Sequence, residues 1–289
     1  MREHMAKGSV GRNVQAVKRL VPRQVKDALI KFRSSDGSRD FRRSPSYAFL
    51  RNLMDRYRVE RLVGETPDGF QRRIHQFLEL EDAPMEGFQD AEKQRDLSIR
   101  FMWGHDHDFG PFRLAGQMGE RHIWLLSTFM DDFRALPRDL VGKKVLDIGC
   151  WTGGTSLLLA AMGADVVAIE EVRKYVDALT YLRDSFGVSN LEPRRLSLYE
   201  CSGPEFQDRF DLVLYAGVLY HVTDPVLSLR IVFDSLRDSG VCLLETAAIP
   251  SGNRSCATRA LAYSVPAAPS RPTGAAGIGS SPPRPPFRG

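Results

Sequence analysis

The segment VLDIGCWTGG, Val145–Gly154, sets an acid (Asp147) and a glycine (Gly149) at the end of an apolar run, then adds Gly153 and Gly154. An apolar strand ending in such a loop lets the backbone approach a nucleotide-like ligand closely, which bulky side chains at the turn prevent. Glu170 follows Gly149 by 21 residues and ends a second apolar run, DVVAIE. A carboxylate at that place is suited to accept hydrogen bonds from both hydroxyls of a ribose. Further along, AGVLYHVTDP carries Ala216, Gly217, Tyr220 and His221. As a histidine, His221 suits removal of a proton from a nucleophile, or equally the holding of a loop by hydrogen bonds. Tyr220 suits the wall of a pocket better than acid–base work.

Two other chemistries fit less well. A dinucleotide fingerprint needs G-x-G-x-x-G, and here Trp151 stands where the second glycine belongs, between Cys150 and Thr152. His105-Asp106-His107-Asp108 has metal-ligand residue types. No downstream cluster completes a ligand set, and a polar lid loop accounts for the same composition, so the sequence predicts no metal site.

These residues need a scaffold, and residues 141–249 supply its pattern. Strand-like and helix-like runs alternate there, which predicts a mostly parallel sheet with helices on both faces. The expected strands are Lys143–Ile148, Asp165–Glu170, Pro193–Tyr199, Phe210–Ala216 and Gly240–Ile249. Thr155 is the expected N-cap of the helix after the first strand, and Gly163 its terminator. Asp224-Pro225 predicts a capped helix start, and the helix presents Val226, Leu229, Phe233 and Leu236.

Three further zones flank this core. Residues 1–44 form a basic leader, partly disordered, in which Val14, Val17, Leu20 and Val21, then Val25, Leu29 and Phe32, recur at helical spacing. Residues 45–140 read as a mainly helical extension ending in a lid-like loop, Phe101–His122, where Trp103, Phe109 and Phe112 are expected to pack beneath the lid. Residues 250–289, rich in Pro, Ala, Gly and Arg, cannot bury enough apolar surface to offset ordering entropy and are expected to be disordered.

The chain has 289 residues, 43% of them hydrophobic, enough for one α/β domain with additions. No run approaches the roughly 20 apolar residues of a transmembrane helix, and no secretory leader is evident. Four separated cysteines, Cys150, Cys201, Cys242 and Cys256, give neither a zinc motif nor a disulfide framework, so a cytoplasmic location is expected. The net charge of +4 is uneven. Residues 1–60 hold 15 Lys+Arg against 6 Asp+Glu, or +9, leaving 4 − 9 = −5 for the rest. Such an arm either contacts nucleic acid or another anionic partner, or is a solvated leader. The sequence does not fix an oligomeric state.

The spacing of VLDIGCWTGG, VVAIE, FDLVLYAGVLYHVTDPVLSL and LRDSGVCLLET resembles the class I S-adenosylmethionine (SAM) methyltransferases. The GVLYH box, the D-P helix start and the LLET strand are most similar to the branch of the tRNA wobble-uridine methyl- and carboxymethyltransferases and their uncharacterised relatives. The resemblance covers about 110 residues, 141–249. It implies a Rossmann-like α/β core with SAM as cofactor. It also implies that Asp147, Gly149 and Gly153 line the methionine end of SAM, with Cys150 and Trp151 also among the cofactor-binding residues. Glu170 holds the ribose, Ser197 and Leu198 meet the adenine, and Ala216 and Gly217 lead to a transfer site at Tyr220 and His221. Methyl transfer to an oxygen or nitrogen of a small molecule, a glycan or RNA follows from it. There are three departures: Trp151 replaces a glycine, Ser197 replaces the usual adenine-binding acid, and nothing after Ile249 resembles the antiparallel hairpin that closes the family's sheet. The last predicts an open edge at the fifth strand and a truncated chain, with a non-catalytic, at most SAM-binding, protein as the alternative.

Overall fold

The computed structural model describes residues 41–79, 101–248 and 257–264, with backbone alone for 248 and 257–264. The helical periodicities at Val14–Phe32 and the residue Cys256 lie outside this range.

Proline at the first turn and a hydroxyl cap start both N-terminal helices, α1 (Pro45–Met54) and α2 (Pro67–Leu78). Thr66 Oγ1 accepts from the Gly69 amide at 3.2 Å. A two-rung antiparallel ladder, β1 (His107–Asp108) with β2 (Arg113–Leu114), organises the glycine-rich stretch that follows. Helix α3 (Arg121–Asp131) then leads into the sheet domain.

There the chain runs β3 (Lys144–Ile148), α4 (Gly154–Ala161), β4 (Asp165–Glu170), α5 (Arg173–Ser185), β5 (Leu191–Arg195), β6 (Phe210–Ala216), α6 (Pro225–Ser235), β7 (Leu236–Ala248) and β8 (Ala257–Ser264). The sheet order is β5-β4-β3-β6-β7-β8, parallel as far as β7, with β8 antiparallel to it. Helices cover both faces of β3, which is why Val145, Leu146 and Ile148 are apolar and buried on either side of it, with Asp147 the one polar residue among them. The chain builds outward from β3 to β5 on one side and from β6 to β8 on the other. The order therefore reverses between β3 and β6, and the carboxyl ends of those two strands open the crevice where ligands of such folds bind.

The N-terminal extension packs against α5. Phe70 stacks on Tyr181 with ring centroids 5.6 Å apart and meets Phe109 edge-on at 5.0 Å. Glu65 accepts from Tyr181 Oη at 2.7 Å and Ser185 Oγ at 2.5 Å. Trp103 and Phe109 are buried and Phe112 is partly buried against the same core.

Several sequence expectations are corrected. The fifth strand is not an open edge, and not all of 250–289 lacks structure: Ala257–Ser264 pairs antiparallel with β7 from Ala248↔Ala257 to Val241↔Ser264. Its composition is weakly strand-like, but backbone pairing to an apolar edge makes few demands on side chains. Thr155 is not the N-cap. Gly153, at φ +80°, takes that place, and the Thr155 hydroxyl turns inward to Asp147. Ser197–Tyr199 is not the end of a strand: β5 stops at Arg195, and Ser197 caps a 3-10 turn, Leu198–Ser202. In α6 the buried stripe is Ser228, Ile231, Val232 and Ser235, while Val226 is 77% exposed and Leu229 and Phe233 also face out. Apolar spacing picked the wrong face because small serines bring this helix close to the sheet. Leu236 already belongs to β7.

Candidate active site

Two adjoining cavities open where β3 and β6 end. The larger, about 560 Å³, runs from Gly149 and Trp151 past Glu170 and Glu171 to Ser197 and Leu198. The smaller, about 290 Å³, lies over Asp147, Cys150, Ala216 and Tyr220. Gly149, Trp151, Gly217 and His221 line both, so they form the passage between the two.

The loop after β3 is shaped by left-handed backbone at Gly149 (φ +70°), Trp151 (φ +51°) and Gly153 (φ +80°). A Cβ on Gly149 would lie 2.5 Å from Val218 Cγ2, so only glycine lets the loops after β3 and β6 approach each other here. Trp151 holds a conformation that favours glycine, and its amide is tied down by a 3.1 Å bond to Glu170 Oε2. Glu170 Oε1 accepts from the Val172 amide, also at 3.1 Å. Burial pushes the Glu170 carboxyl upward, against these backbone donors.

Asp147 is wholly enclosed, and burial raises its pKa to about 6 although Ser156 and Thr155 oppose the shift. Both hydroxyls donate to Oδ2, at 2.6 Å from Ser156 and 2.8 Å from Thr155. A buried carboxylate so held is ready for a cationic group. Tyr220 is half-exposed on the rim of the smaller cavity, its ring 4.3 Å from that of His221.

Of the candidate residues, Asp147, Gly149, Cys150, Trp151, Glu170, Ser197, Leu198, Ala216, Gly217, Tyr220 and His221 all line one or both cavities. Gly153 does not. A Cβ there would lie 2.1 Å from Leu179 Cδ1, so its place in the motif comes from packing of the loop on α5. His105 and His107 do not converge on a metal site: His107 stacks on Phe109 at 3.9 Å, Asp106 bonds the Gly116 amide and Asp108 the Gly110 amide. Among the described residues no group of three or more His, Cys, Asp or Glu is placed to hold a metal ion.

Sequence reasoning put the loop Phe101–His122 near a site but did not name the residues by which it walls the smaller cavity, Met102, His105, Gln117, Met118 and Arg121. It also missed an ion pair between Arg121, at the start of α3, and the fully buried Glu245 near the end of β7. Nothing in the local pattern joins residues 124 positions apart. Glu171 was missed too, although its place beside Glu170 was a usable signal.

A Rossmann-like sheet with ligand cavities at its switch point, an acid at the end of β3 and another at the end of β4 are the features of a class I SAM-dependent methyltransferase. Residues 126–271 match the methyltransferase domain family, and the chain belongs to that family. It is similar to the tRNA U34 carboxymethyltransferase of Desulfotalea psychrophila, 37% identical over 113 residues, which are 39% of this chain and 35% of that protein. It is also similar to the ubiquinone biosynthesis O-methyltransferase of Psychrobacter arcticus, 29% identical over 140 residues, 48% of this chain and 54% of the relative. The chain thus spans about a third to a half of the length of these relatives. It is related to both groups, and no single branch is singled out. Among solved structures, the YcgJ protein of Bacillus subtilis aligns at 23% identity with a TM-score of 0.36, covering 39% of this chain and 47% of that one.

Proposed function

We propose that the chain binds SAM with its nucleoside in the larger cavity and its methionine end reaching through the passage to Asp147 and Cys150 at the base of the smaller one, and transfers its methyl group to an oxygen or nitrogen nucleophile that enters the smaller cavity. The observation that carries this reading is the meeting of the two cavities at Gly149, Trp151, Gly217 and His221. The residues fit the cofactor: Gly149 lines the passage between the cavities, and Asp147 offers a buried carboxylate to a cationic methionine end. Cys150 and Trp151 line that end, Glu170 holds the ribose, and Ser197 and Leu198 border the adenine slot. When bound, SAM supplies an electrophilic methyl group on a sulfonium.

The chain's own work is positioning. The loops after β3 and β6 set the passage through which a nucleophile reaches the methyl group, and Tyr220 closes the acceptor side. His221 lines both cavities and accepts the nucleophile's proton where the acceptor has one to lose. The acceptor is a small molecule, a glycan or an RNA nucleoside. The last is supported by likeness to the tRNA U34 carboxymethyltransferases and by the basic charge of residues 1–60. Among the described residues no helix is long and apolar enough to cross a membrane.

Calorimetric titration of SAM into the wild type and Glu170→Ala tests the cofactor reading. Saturable binding is expected, weakened by about 1.5–3 kcal/mol in the variant as charged hydrogen bonds are lost. Absence of binding to the folded wild type refutes it. Salt-sensitive affinity for tRNA, lost on deleting residues 1–44, selects RNA over a small acceptor.

A further inference from the structure

Helix α6 turns its larger apolar side chains away from the rest of the molecule. Ser228, Ile231, Val232 and Ser235 face the sheet, and the two serines let the helix sit close to it. The opposite side presents Val226 at 77% exposure, with Leu227, Leu229 and Phe233 each 40–46% exposed. A single exposed apolar residue is ordinary, but these four share one helix of 11 residues. At about 100° per residue, Val226, Arg230 and Phe233 form the crest of that face, Leu229 lies on one flank, and Leu227 and Asp234 lie on the other. Arg230 Nε donates to Asp234 Oδ2 at 2.9 Å, and the guanidinium lies 5.7 Å from the centroid of the Phe233 ring. Both charges are open to solvent. The face therefore joins an apolar crest to one cation and one anion, a helical turn apart.

We propose that this face is the interface of a homodimer, in which the α6 helices of two copies pack antiparallel about a twofold axis close to Phe233. A twofold interface must be complementary to itself, each residue meeting its counterpart across the axis. Opposite charges one turn apart meet that condition. Arg230 of each copy then faces Asp234 of the other, and the two Phe233 rings meet beside the axis. An axis nearer Arg230 would set the two guanidinium groups against each other, which like-charge repulsion opposes. Removal of the crest from water drives the association, while the charges, worth little as a surface pair, fix the register. A polyanion or an anionic membrane would leave Asp234 facing like charge; a second copy carries both signs in the order required. No residue of α6 lines either cavity, so the dimer leaves both open and the inference does not rest on the cofactor reading.

Sedimentation equilibrium of the full chain tests it. The wild type is expected to dimerise with a dissociation constant below about 100 μM, and Phe233→Glu should raise that constant at least about tenfold. Val226→Glu, at the most exposed position of the helix, should act in the same direction and carries the test if Phe233→Glu does not fold. Arg230→Asp sets acid against acid across the axis and Asp234→Arg sets base against base, so each alone should be monomeric where the wild type is dimeric. An equimolar mixture of those two variants should associate, because every facing pair is then opposite again. The double variant Arg230→Asp/Asp234→Arg should dimerise as the wild type does. A monomeric wild type, a dimer that survives both Glu substitutions, or a mixture that stays monomeric overturns the inference; a segment of the same chain or an unrelated partner covering the helix gives the first or the last of these. Circular dichroism checks that each variant is folded. S-adenosylhomocysteine affinity should be unchanged in all of them, and failure of the folded wild type to bind it bears on the cofactor reading alone.

Discussion

Acidification should loosen the N-terminal extension before it reaches the sheet. Burial lowers the pKa of His107 and of His122 to about 3, and holds that of His105 well below its ordinary value of 6.5. The His105 and His122 rings lie 4.8 Å apart, and neither ring nitrogen of His122 has a hydrogen-bond partner among the described residues. A histidine depressed in the folded state stays neutral there, while its unfolded counterpart takes a proton below pH 6.5. Stability is therefore full above pH 6.5 and declines as the pH falls toward 3. Between pH 7 and 5.5, an unfolded value of 6.5 and a folded value of about 3 give a loss of about 1.2 kcal/mol for each of His107 and His122. Together they lose roughly 2.5 kcal/mol, a sizeable part of a typical domain's stability. Asp147 works in the opposite direction. Its folded pKa, raised to about 6, favours the folded state as the pH falls below that value and returns about 0.8 kcal/mol by pH 5.5. The clean comparison is therefore between proteins. Guanidinium unfolding at pH 7 and 5.5 should show the wild type losing about 2.5 kcal/mol more than His107→Gln/His122→Gln, whatever the variant's own stability. Parallel pH dependences in the two proteins would refute the argument that these imidazoles are buried in neutral form.

Three other perturbations follow from the site. Because a cationic ligand stabilises the ionised form of Asp147, calorimetric SAM affinity should fall about tenfold per pH unit below pH 6, and Asp147→Asn should flatten that slope. Gly149→Ala forces a side chain into left-handed backbone 2.5 Å from Val218 Cγ2. Its S-adenosylhomocysteine binding should be lost, with destabilisation of about 1–3 kcal/mol, and Val218→Ala should restore part of the stability but not the backbone strain. Arg121→Met leaves Glu245 buried without its cation and should cost about 3–5 kcal/mol in denaturant unfolding, whereas Arg121→Met/Glu245→Leu should recover most of that. An additive double variant would mean that the two side chains do not act as a pair.

The core and the strand-to-loop turn of the candidate site were legible because their causes are local. A strand buried on both faces must be apolar, and a loop that nearly touches its neighbour must carry glycine, so Val145–Gly149 announces both strand and turn. The helix cap at Asp224 was equally legible, since its side chain accepts from Leu227, three residues on. Elsewhere the determinants are distant. Ser228 looks like a polar face of α6 until Tyr215 is found donating to its hydroxyl at 3.0 Å from the sheet below. Thr155 has the residue type of a cap, but the buried Asp147 claims its hydroxyl at 2.8 Å. Strand β8 exists because β7 offers it an edge, which the composition of residues 250–289 does not reveal.

The same distinction bears on where acceptor choice is encoded. The matched family segment begins at residue 126, inside α3, and contains the whole cofactor loop. Met102, His105, Gln117, Met118 and Arg121 all precede it, yet they wall the smaller cavity. Gly104 donates its amide to Thr152 Oγ1 at 3.0 Å, and a Cβ on Gly116 would lie 2.1 Å from the His105 carbonyl carbon. Residues 101–122 are thus docked directly on the loop after β3. A change of acceptor should therefore come from substitutions in residues 101–122 that leave cofactor affinity untouched. Substitutions within Val145–Gly154 should weaken cofactor binding whatever the acceptor. Separate titrations of cofactor and acceptor on Met118 and Gly149 variants would show whether the two functions divide at that boundary.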